Sequence, residues 1–270
     1  MKILIAIFII SAIYTIFENT FMLKVRKIKI NKGNVRILHI SDLHKRQFGN
    51  DNHRLLKVVS AQNPDIIIIS GDVITRDITD FNDTEKLFHN LSKIAPVYFG
   101  LGNHELDLMP ENLSKLKAIA ENSGVIILDN KSVFLSIKGI NFEITGASLK
   151  REVYKKDGCY KNLDVYSLSE LQNAVGKPNS DALNLLIAHN PLFADVYNAW
   201  GADITFSGHI HGGAVRIPFL NLGLLSPERR FFPRYSKGVY KVGNMLLCVS
   251  GGLGKLRLFN PPEIIVYEIS

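Results

Sequence analysis

Four consecutive isoleucines constrain this chain more than any other feature. They lie in Asp65-Ile66-Ile67-Ile68-Ile69-Ser70-Gly71-Asp72. A strand with one wet face alternates apolar and polar residues. An unbroken apolar run reads instead as a strand buried on both faces, inside a sheet covered by helices. The run ends on Gly71-Asp72, which puts a carboxylate at the carboxyl end of a strand, where α/β sheets bind their ligands. Alone, such an Asp reads as the first residue of a loop. Asp72 is not alone, because other apolar runs also end in residues that bind metals.

The first of these is Val35–Ser41, followed by Asp42-Leu43-His44. A helix is expected over 52–61, closed by Asn63-Pro64, before the isoleucine strand. Asp83 is placed to cap a helix running to about Ile94. Pro96–Leu101 reads as a third strand leading into Gly102-Asn103-His104-Glu105. Pro110 opens a helix that Gly124 stops. This β-α-β-α-β order predicts a largely parallel sheet with right-handed crossovers. Short strands follow at 125–128, 133–137 and 142–147, then a polar excursion from Lys150 to Asp181 with one helix near Ser167–Ala174. Leu183–Ile187 resumes as a buried strand ending in His189. A helix to Trp200 precedes Asp203–Phe206 and the stretch Gly208-His209-Ile210-His211. Two further strands are expected at Met245–Val249 and Ile264–Ile269.

The amino end differs from the rest. Ile3 to Phe17 is almost wholly apolar, and a basic cluster of Lys24, Arg26, Lys27, Lys29 and Lys32 follows. With no small-x-small cleavage site beside the run, residues 1–23 are expected to be a hydrophobic membrane anchor or uncleaved signal. Residues 24–34 are then a basic juxtamembrane segment, and 35–270 one catalytic domain. This locates the protein at the cell membrane. Counting basic residues favours the cytoplasmic face and leaves the outer face open. The formal net charge of +7 suits anionic partners without choosing among them. Two cysteines, Cys159 and Cys248, make neither a disulfide framework nor a thiolate metal site.

Five strand ends thus carry Asp42 and His44, Asp72, Asn103 with His104, His189, and His209 with His211. In Asp42-x-His44 and His209-x-His211 an extended backbone would project both side chains to one face. Oxygen and imidazole donors without sulfur suit manganese, iron or zinc. His39, inside the first strand, reads as a core histidine, while His53 and His89 are expected at the surface. Arg46 could touch substrate or stand in solvent. Phe231-Phe232, beside Arg229, Arg230 and Arg234, could form a lipid-facing lip or simply pack on the domain.

The series Ser41-Asp-Leu-His44, Ser70-Gly-Asp72, Gly102-Asn-His-Glu105, His189 and Gly208-His-Ile-His211 resembles the calcineurin-like metallophosphoesterase superfamily. Within it, His211–Pro218, Gly251-Gly-Leu-Gly254 and Leu258–Ile264 resemble the membrane-associated bacterial phosphodiesterases of the YaeI and YkuE type. The resemblance implies an α/β fold of two facing mixed β-sheets flanked by helices, a four-layer αββα sandwich. It implies two divalent or trivalent ions per chain. Asp42, His44, His211 and a bridging Asp72 would hold one; Asp72, Asn103, His189 and His209 would hold the other. His104 would act as the catalytic acid, and Asn103 and His104 would face the phosphate. The implied reaction is hydrolysis of a phosphate ester. A lipid-linked phosphodiester or pyrophosphate is favoured, such as a UDP-diacylglucosamine-like one. A nuclease, a phosphomonoesterase and a non-catalytic scaffold are the alternatives. Nucleic acid is disfavoured because much of the charge lies beside the apolar segment and no aromatic-interleaved basic groove is readable. No protein partner is expected.

Overall fold

The computed structural model describes the chain except residues 1, 31–33, 157–163, 214, 218–219, 221, 227–230, 256 and 270, and only the backbone of residues 2–8. Cys159, Arg229, Arg230 and Lys32 lie outside the described residues. In chain order the elements are α1 (Lys2–Phe21), β1 (Lys24–Ile30), β2 (Val35–Ile40), α2 (His53–Ser60), β3 (Ile66–Ser70), α3 (Asn82–Ser92), β4 (Val97–Gly100), α4 (Asn103–Leu106), α5 (Pro110–Asn122) and β5 (Val125–Ile127). There follow β6 (Lys131–Ile137), β7 (Ile140–Ala147), α6 (Leu168–Val175), β8 (Leu183–Ala188), α7 (Ala194–Trp200) and β9 (Ile204–Ser207). A short β10–β11 ribbon (Arg216–Ile217, Leu222–Gly223), β12 (Gly238–Val242), β13 (Met245–Val249) and β14 (Glu263–Ile269) complete the chain.

Two mixed six-stranded sheets face each other, in the orders β1-β14-β2-β3-β4-β5 and β12-β13-β9-β8-β7-β6. The isoleucine strand shows why its pattern does not alternate. Ile66 and Ile68 point into the layer between the sheets, against residues such as Phe142, Leu185 and Phe206. Ile67 and Ile69 point the other way, under α2, α3 and α5, where Leu55, Phe88 and Leu116 meet them. Each face buries its isoleucines for about 2 kcal/mol per side chain. A third apolar layer joins Leu186 and Leu247 of the second sheet to Leu171, Tyr197 and Trp200 of α6 and α7. The result is the helix-sheet-sheet-helix sandwich.

Two expectations for the amino end are corrected. Residues 24–30 are not a free basic segment but strand β1, paired in parallel with β14 from Lys24↔Glu263 to Ile30↔Ile269. The sequence Lys-Val-Arg-Lys-Ile-Lys-Ile fits an edge strand: Lys24, Lys27 and Lys29 are exposed, and charge on an edge discourages further pairing. The expected spanning anchor is not supported either, since no helix among the described residues is long and apolar enough to cross a membrane. Instead α1 docks on the domain through its polar residues. Ser11, Tyr14, Thr15, Glu18 and Asn19 recur at helical spacing and face inward, and Glu18 is fully buried. Asn19 exchanges two hydrogen bonds with the Arg257 backbone (2.7 and 3.1 Å), and the Tyr14 and Phe259 rings lie 5.3 Å apart. Ile9, Ile10, Ile13, Ile16, Phe17 and Phe21 are left exposed on the outer side. Over residues 9–21 the side of α1 turned away from the domain is mostly apolar.

Smaller differences have local causes. Asp83 lies in the first turn of α3, where its charge complements the helix dipole, while Phe81 holds the cap position. α6 begins one residue later than expected because Ser167 is its cap, accepting the Glu170 N–H at 3.2 Å. His39 is buried against Ser70 Oγ at 2.7 Å, and burial pushes it down to about 3, so it stays neutral. His53 and His89 are exposed.

Candidate active site

Every sequence-predicted metal ligand lies just beyond the carboxyl end of a strand. Asp42 and His44 follow β2, Asp72 follows β3, Asn103 and His104 open α4 after β4, His189 follows β8, and His209 and His211 follow β9. The first three strands belong to one sheet and the last two to the other, so the site forms where the two sheets' ends meet.

The backbone that presents these side chains is not extended. Asp42, His44, Asp72, His209 and His211 all have positive φ, between 50° and 67°. Non-glycine residues pay about 1–2 kcal/mol each for that conformation, a cost concentrated at functional sites. The pairs at i and i+2 therefore converge through tight left-handed turns, not through strand alternation. Ladder bonds fix the turns against one another: Asp42 N–H donates to Gly71 O, His44 N–H to Asp72 O, and Gly208 N–H to His189 O, each at 3.0 Å. Gly71 (φ +92°) is needed where two loops touch, because a Cβ there would fall 2.6 Å from the Gly102 Cα.

Asp72 sits at the middle. Its Oδ2 lies 3.2 Å from His189 Nε2, 3.9 Å from His104 Nε2 and 4.0 Å from His44 Nε2. Asp42 Oδ1 accepts the His209 N–H at 3.0 Å and stands 3.8 and 3.9 Å from the Nε2 atoms of His189 and His211. Three sets bring their ligand atoms within 4.8 Å of one another: Asp42, His44 and His211; Asp72, His189 and His209; and His44, Asp72 and His104. Burial alone would raise the Asp72 carboxyl, but His189, His104 and His44 outweigh it and hold Asp72 far below the usual carboxylate range.

These residues fit metal ions. Asp42 Oδ2, His44 Nε2 and Asn103 Oδ1 are buried with no hydrogen-bond partner, an arrangement costing about 1–3 kcal/mol per atom unless a cation takes it up. His189 Nδ1 is bonded to the Ser70 carbonyl, which makes Nδ1 the donor and turns the Nε2 lone pair inward, as metal-binding histidines are commonly oriented. All donors are nitrogen or oxygen, as manganese, iron and zinc accept.

His104 is set differently. Its Nδ1 accepts the Arg76 backbone N–H at 3.1 Å, so the neutral ring carries its proton on Nε2. Burial pushes His104 down to about 4, with Asp72 opposing. The structure does not bring Arg46 to this cluster. Arg46 is buried over the Phe48 ring, and its guanidinium donates to Leu253 O and Gly254 O at 2.9 Å and to Asn19 O.

One functional residue escaped sequence reasoning. Glu105 is fully buried and accepts four backbone N–H groups: Asp72 and Gly102 at 2.8 Å, Val73 at 2.9 Å and Ile74 at 3.2 Å. It ties the turn after β3 to the turn after β4. Its spacing from Gly102 matches the acid of a helix capping box, a signal that was available.

A sequence model of the family described as Calcineurin-like phosphoesterase matches residues 35–213. This chain belongs to that family. The chain is 29% identical, over 96% of its length, to putative metallophosphoesterase F40B5.2 of Caenorhabditis elegans. The chain spans only 54% of that relative. It is also 24% identical to phosphodiesterase YaeI of Escherichia coli, over 89% of this chain and 84% of YaeI. Among solved structures, the phosphopantetheinyl hydrolase PptH of Mycobacterium tuberculosis shares the fold, with a TM-score of 0.51, 14% identity, and coverage of 83% of this chain and 92% of PptH.

Proposed function

We propose that this chain is a metal-dependent phosphohydrolase that cleaves a phosphodiester or diphosphate at a membrane or envelope surface. The observation that carries this reading is the convergence of Asp42, His44, Asp72, His189, His209 and His211 from both sheets around one central carboxylate. The phosphodiesterase name of YaeI supports the same class.

In this reading Asp42, His44, His211 and Asp72 hold one ion, and Asp72, Asn103, His189 and His209 hold a second. Manganese, iron and zinc all suit the donors. Bound there, the ions supply charge neutralisation at the phosphoryl group and a water nucleophile at neutral pH. Asn103 contributes oxygen without charge, so the site keeps positive charge for an anionic substrate. His104 turns its Nε2–H toward the side of Asp72, where the neutral ring can stabilise the leaving oxygen by a hydrogen bond, and only its imidazolium form could protonate it. Glu105 holds the Asp72 and Asn103 turns at fixed separation, so the phosphoryl group meets a preorganised site.

The membrane part of the proposal rests on α1. Its polar face is used up on the domain, and the outward stripe from Ile9 to Phe21 is apolar. An exposed apolar stripe on a helix held to the domain offers a surface to the acyl chains of a bilayer. Phe231 and Phe232 are also exposed, 68% and 56%, which favours a lip over packing on the domain.

The test is turnover of bis(p-nitrophenyl) phosphate and p-nitrophenyl phosphate by the full chain with manganese, before and after chelation. Co-sedimentation with phosphatidylglycerol vesicles tests the surface. Chelator-sensitive diester cleavage and vesicle binding support the reading. Absence of any turnover with manganese, iron or zinc overturns the enzymatic part, and an unchanged supernatant fraction overturns the membrane part.

A further inference from the structure

The turn Gly251-Gly252-Leu253-Gly254 takes no part in the chemistry, yet it forms the floor under one of the two ligand sets. The Leu253 N–H donates to the carbonyls of Ser41 and Asp42, at 3.0 and 3.2 Å. The glycines permit that approach. A Cβ on Gly252 (φ +76°) would fall 2.7 Å from the Asp42 Cβ. One on Gly254 would fall 3.2 Å from both the Asp42 carbonyl oxygen and the His44 ring. His44 in turn stacks on His211, with 5.0 Å between ring centroids. The turn therefore bears on Asp42 and His44 directly, and on His211 through His44. Asp72 and His189 have other supports, the Glu105 carboxylate and the Ser70 carbonyl.

Two buried arginines hold this turn. The Gly254 carbonyl accepts from Arg46 Nη1 and Arg257 Nε, each at 2.9 Å. Arg46 Nη1 also donates to Leu253 O at 2.9 Å, and Arg257 Nη1 donates to Gly251 O. Arg257 Nη1 reaches the His211 carbonyl at 3.5 Å, and Asn260 Nδ2 donates to the same oxygen at 2.6 Å. That carbonyl belongs to a residue in the left-handed region, a conformation that persists only where its surroundings over-determine it. A buried guanidinium is itself costly unless it is paired and hydrogen-bonded. Burial lowers the Arg257 pKa to about 10, against the pull of Asp42, Glu263 and Glu18. Its charge thus answers both a metal ligand and a residue of α1.

Both arginines also meet one residue of α1. Asn19 O accepts from Arg46 Nη2, Asn19 Nδ2 donates to Arg257 O at 2.7 Å, and Asn19 Oδ1 accepts the Arg257 N–H at 3.1 Å. Arg54 donates to the Thr20 and Phe21 carbonyls at 3.4 and 2.7 Å, so domain side chains satisfy the carbonyls that end the helix. We propose that Asn19, Arg46 and Arg257 are positioning residues for the Asp42, His44 and His211 ligand set, so that docking of α1 tightens metal binding there and not at the His189 and His209 set. This rests on the dinuclear reading and adds to it a link between the docked helix and one of the two ions. The link is reciprocal: an ion held by this set favours the docked helix by the same factor. Its sign separates positioning from charge. Loss of the Arg257 charge near Asp42 would by itself tighten binding of a cation, whereas loss of positioning weakens it.

The test measures manganese binding by calorimetry to the full chain and to Asn19→Ala, Arg257→Met and Arg257→Lys. His211→Ala and His189→Ala identify the two binding steps by abolishing one each. The step lost in His211→Ala is expected to weaken at least about 10-fold in Asn19→Ala and Arg257→Met, with partial recovery in Arg257→Lys. The step lost in His189→Ala is expected to stay within about 2-fold. Amide hydrogen exchange is followed alongside. Manganese is expected to slow exchange over residues 9–21 in the wild type and to lose that effect in Asn19→Ala. Weakening of both steps alike, or of neither, overturns the proposal, as does a helix that exchanges equally with and without the metal. If the wild type binds no manganese, iron or zinc, the dinuclear reading fails, and exchange in the metal-free chain decides the brace. Exchange at residues 249–255 at least about 10-fold faster in Asn19→Ala upholds it, and unchanged exchange overturns it. Circular dichroism melts confirm that each variant is folded, and Asn19, only half-buried, decides the question if Arg257→Met does not fold.

Discussion

The Glu105 carboxylate accepts the Asp72 backbone N–H at 2.8 Å, so an acid at the start of α4 sets the position of the carboxylate that follows β3. Burial and the nearby Asp72 push Glu105 up to about 7, with its backbone donors opposing. A buried acid in that position is tolerable only because four N–H groups converge on it.

Glu105→Gln keeps the volume but turns an NH2 group toward N–H donors. We expect a loss of about 2–4 kcal/mol in stability and a marked fall in bound metal, since the Asp72 and Asn103 turns lose their common brace. Thermal melts and metal quantification check this. Wild-type metal content with a wild-type melting temperature would contradict the bracing role.

The strand β1 belongs to the domain. Removing residues 1–23 should leave a folded protein, whereas removing 1–34 strips the β1–β14 ladder and uncovers β14. The longer deletion is expected to melt at least about 5 °C below the shorter one or to aggregate. Equal melting temperatures would return residues 24–30 to the role of a free basic segment.

Lys237 gives a signed pH effect remote from the ligands. Its Nζ lies 2.9 Å from Glu263, and Arg26 and Arg216 also face the group. Burial brings its pKa down to about 8, with Glu263 opposing. Below pH 8 the side chain is protonated in both folded and unfolded states. Between about 8 and its ordinary value the unfolded chain binds more protons, so this contribution to stability grows as pH rises. The stability of the wild type relative to Lys237→Met should therefore increase from pH 7.5 to 10, by on the order of 2 kcal/mol. A difference that is flat or falls over that range would refute the assignment.

Cys248 is fully buried on β13, and burial pushes its thiol up to about 12. It should resist iodoacetamide in the native protein at pH 8 and react after denaturation. Peptide mapping distinguishes it from Cys159. Rapid native labelling at Cys248 would mean that the second sheet opens readily.

Much of this was readable from the residues. Runs such as Ile66–Ile69 and Leu183–Ile187 reveal inner strands because burial on both faces abolishes alternation, and the ligands follow because parallel strands end on one side. What stayed hidden depends on conformation or on unusual context. The left-handed turns at Asp42 and His211 cannot be seen in the sequence, because Asp and His adopt positive φ more readily than most residues but still only in a minority of places. Strand β1 was obscured because a lysine-rich edge looks like a solvated run. The docking of α1 was obscured because its polar stripe, Ser11, Tyr14, Thr15, Glu18 and Asn19, faces protein and its apolar stripe faces outward, the reverse of an ordinary surface helix.

The central claim is that Asp72 joins two ligand sets into one dinuclear site. Its most direct test is the metal content of the full chain and of Asp72→Asn, by mass spectrometry after manganese loading and desalting, alongside diester turnover. The account predicts two ions per wild-type chain, at most one in the variant, and turnover lower by at least about 100-fold. One ion or none in the wild type, or a variant that keeps both ions and its activity, would contradict it.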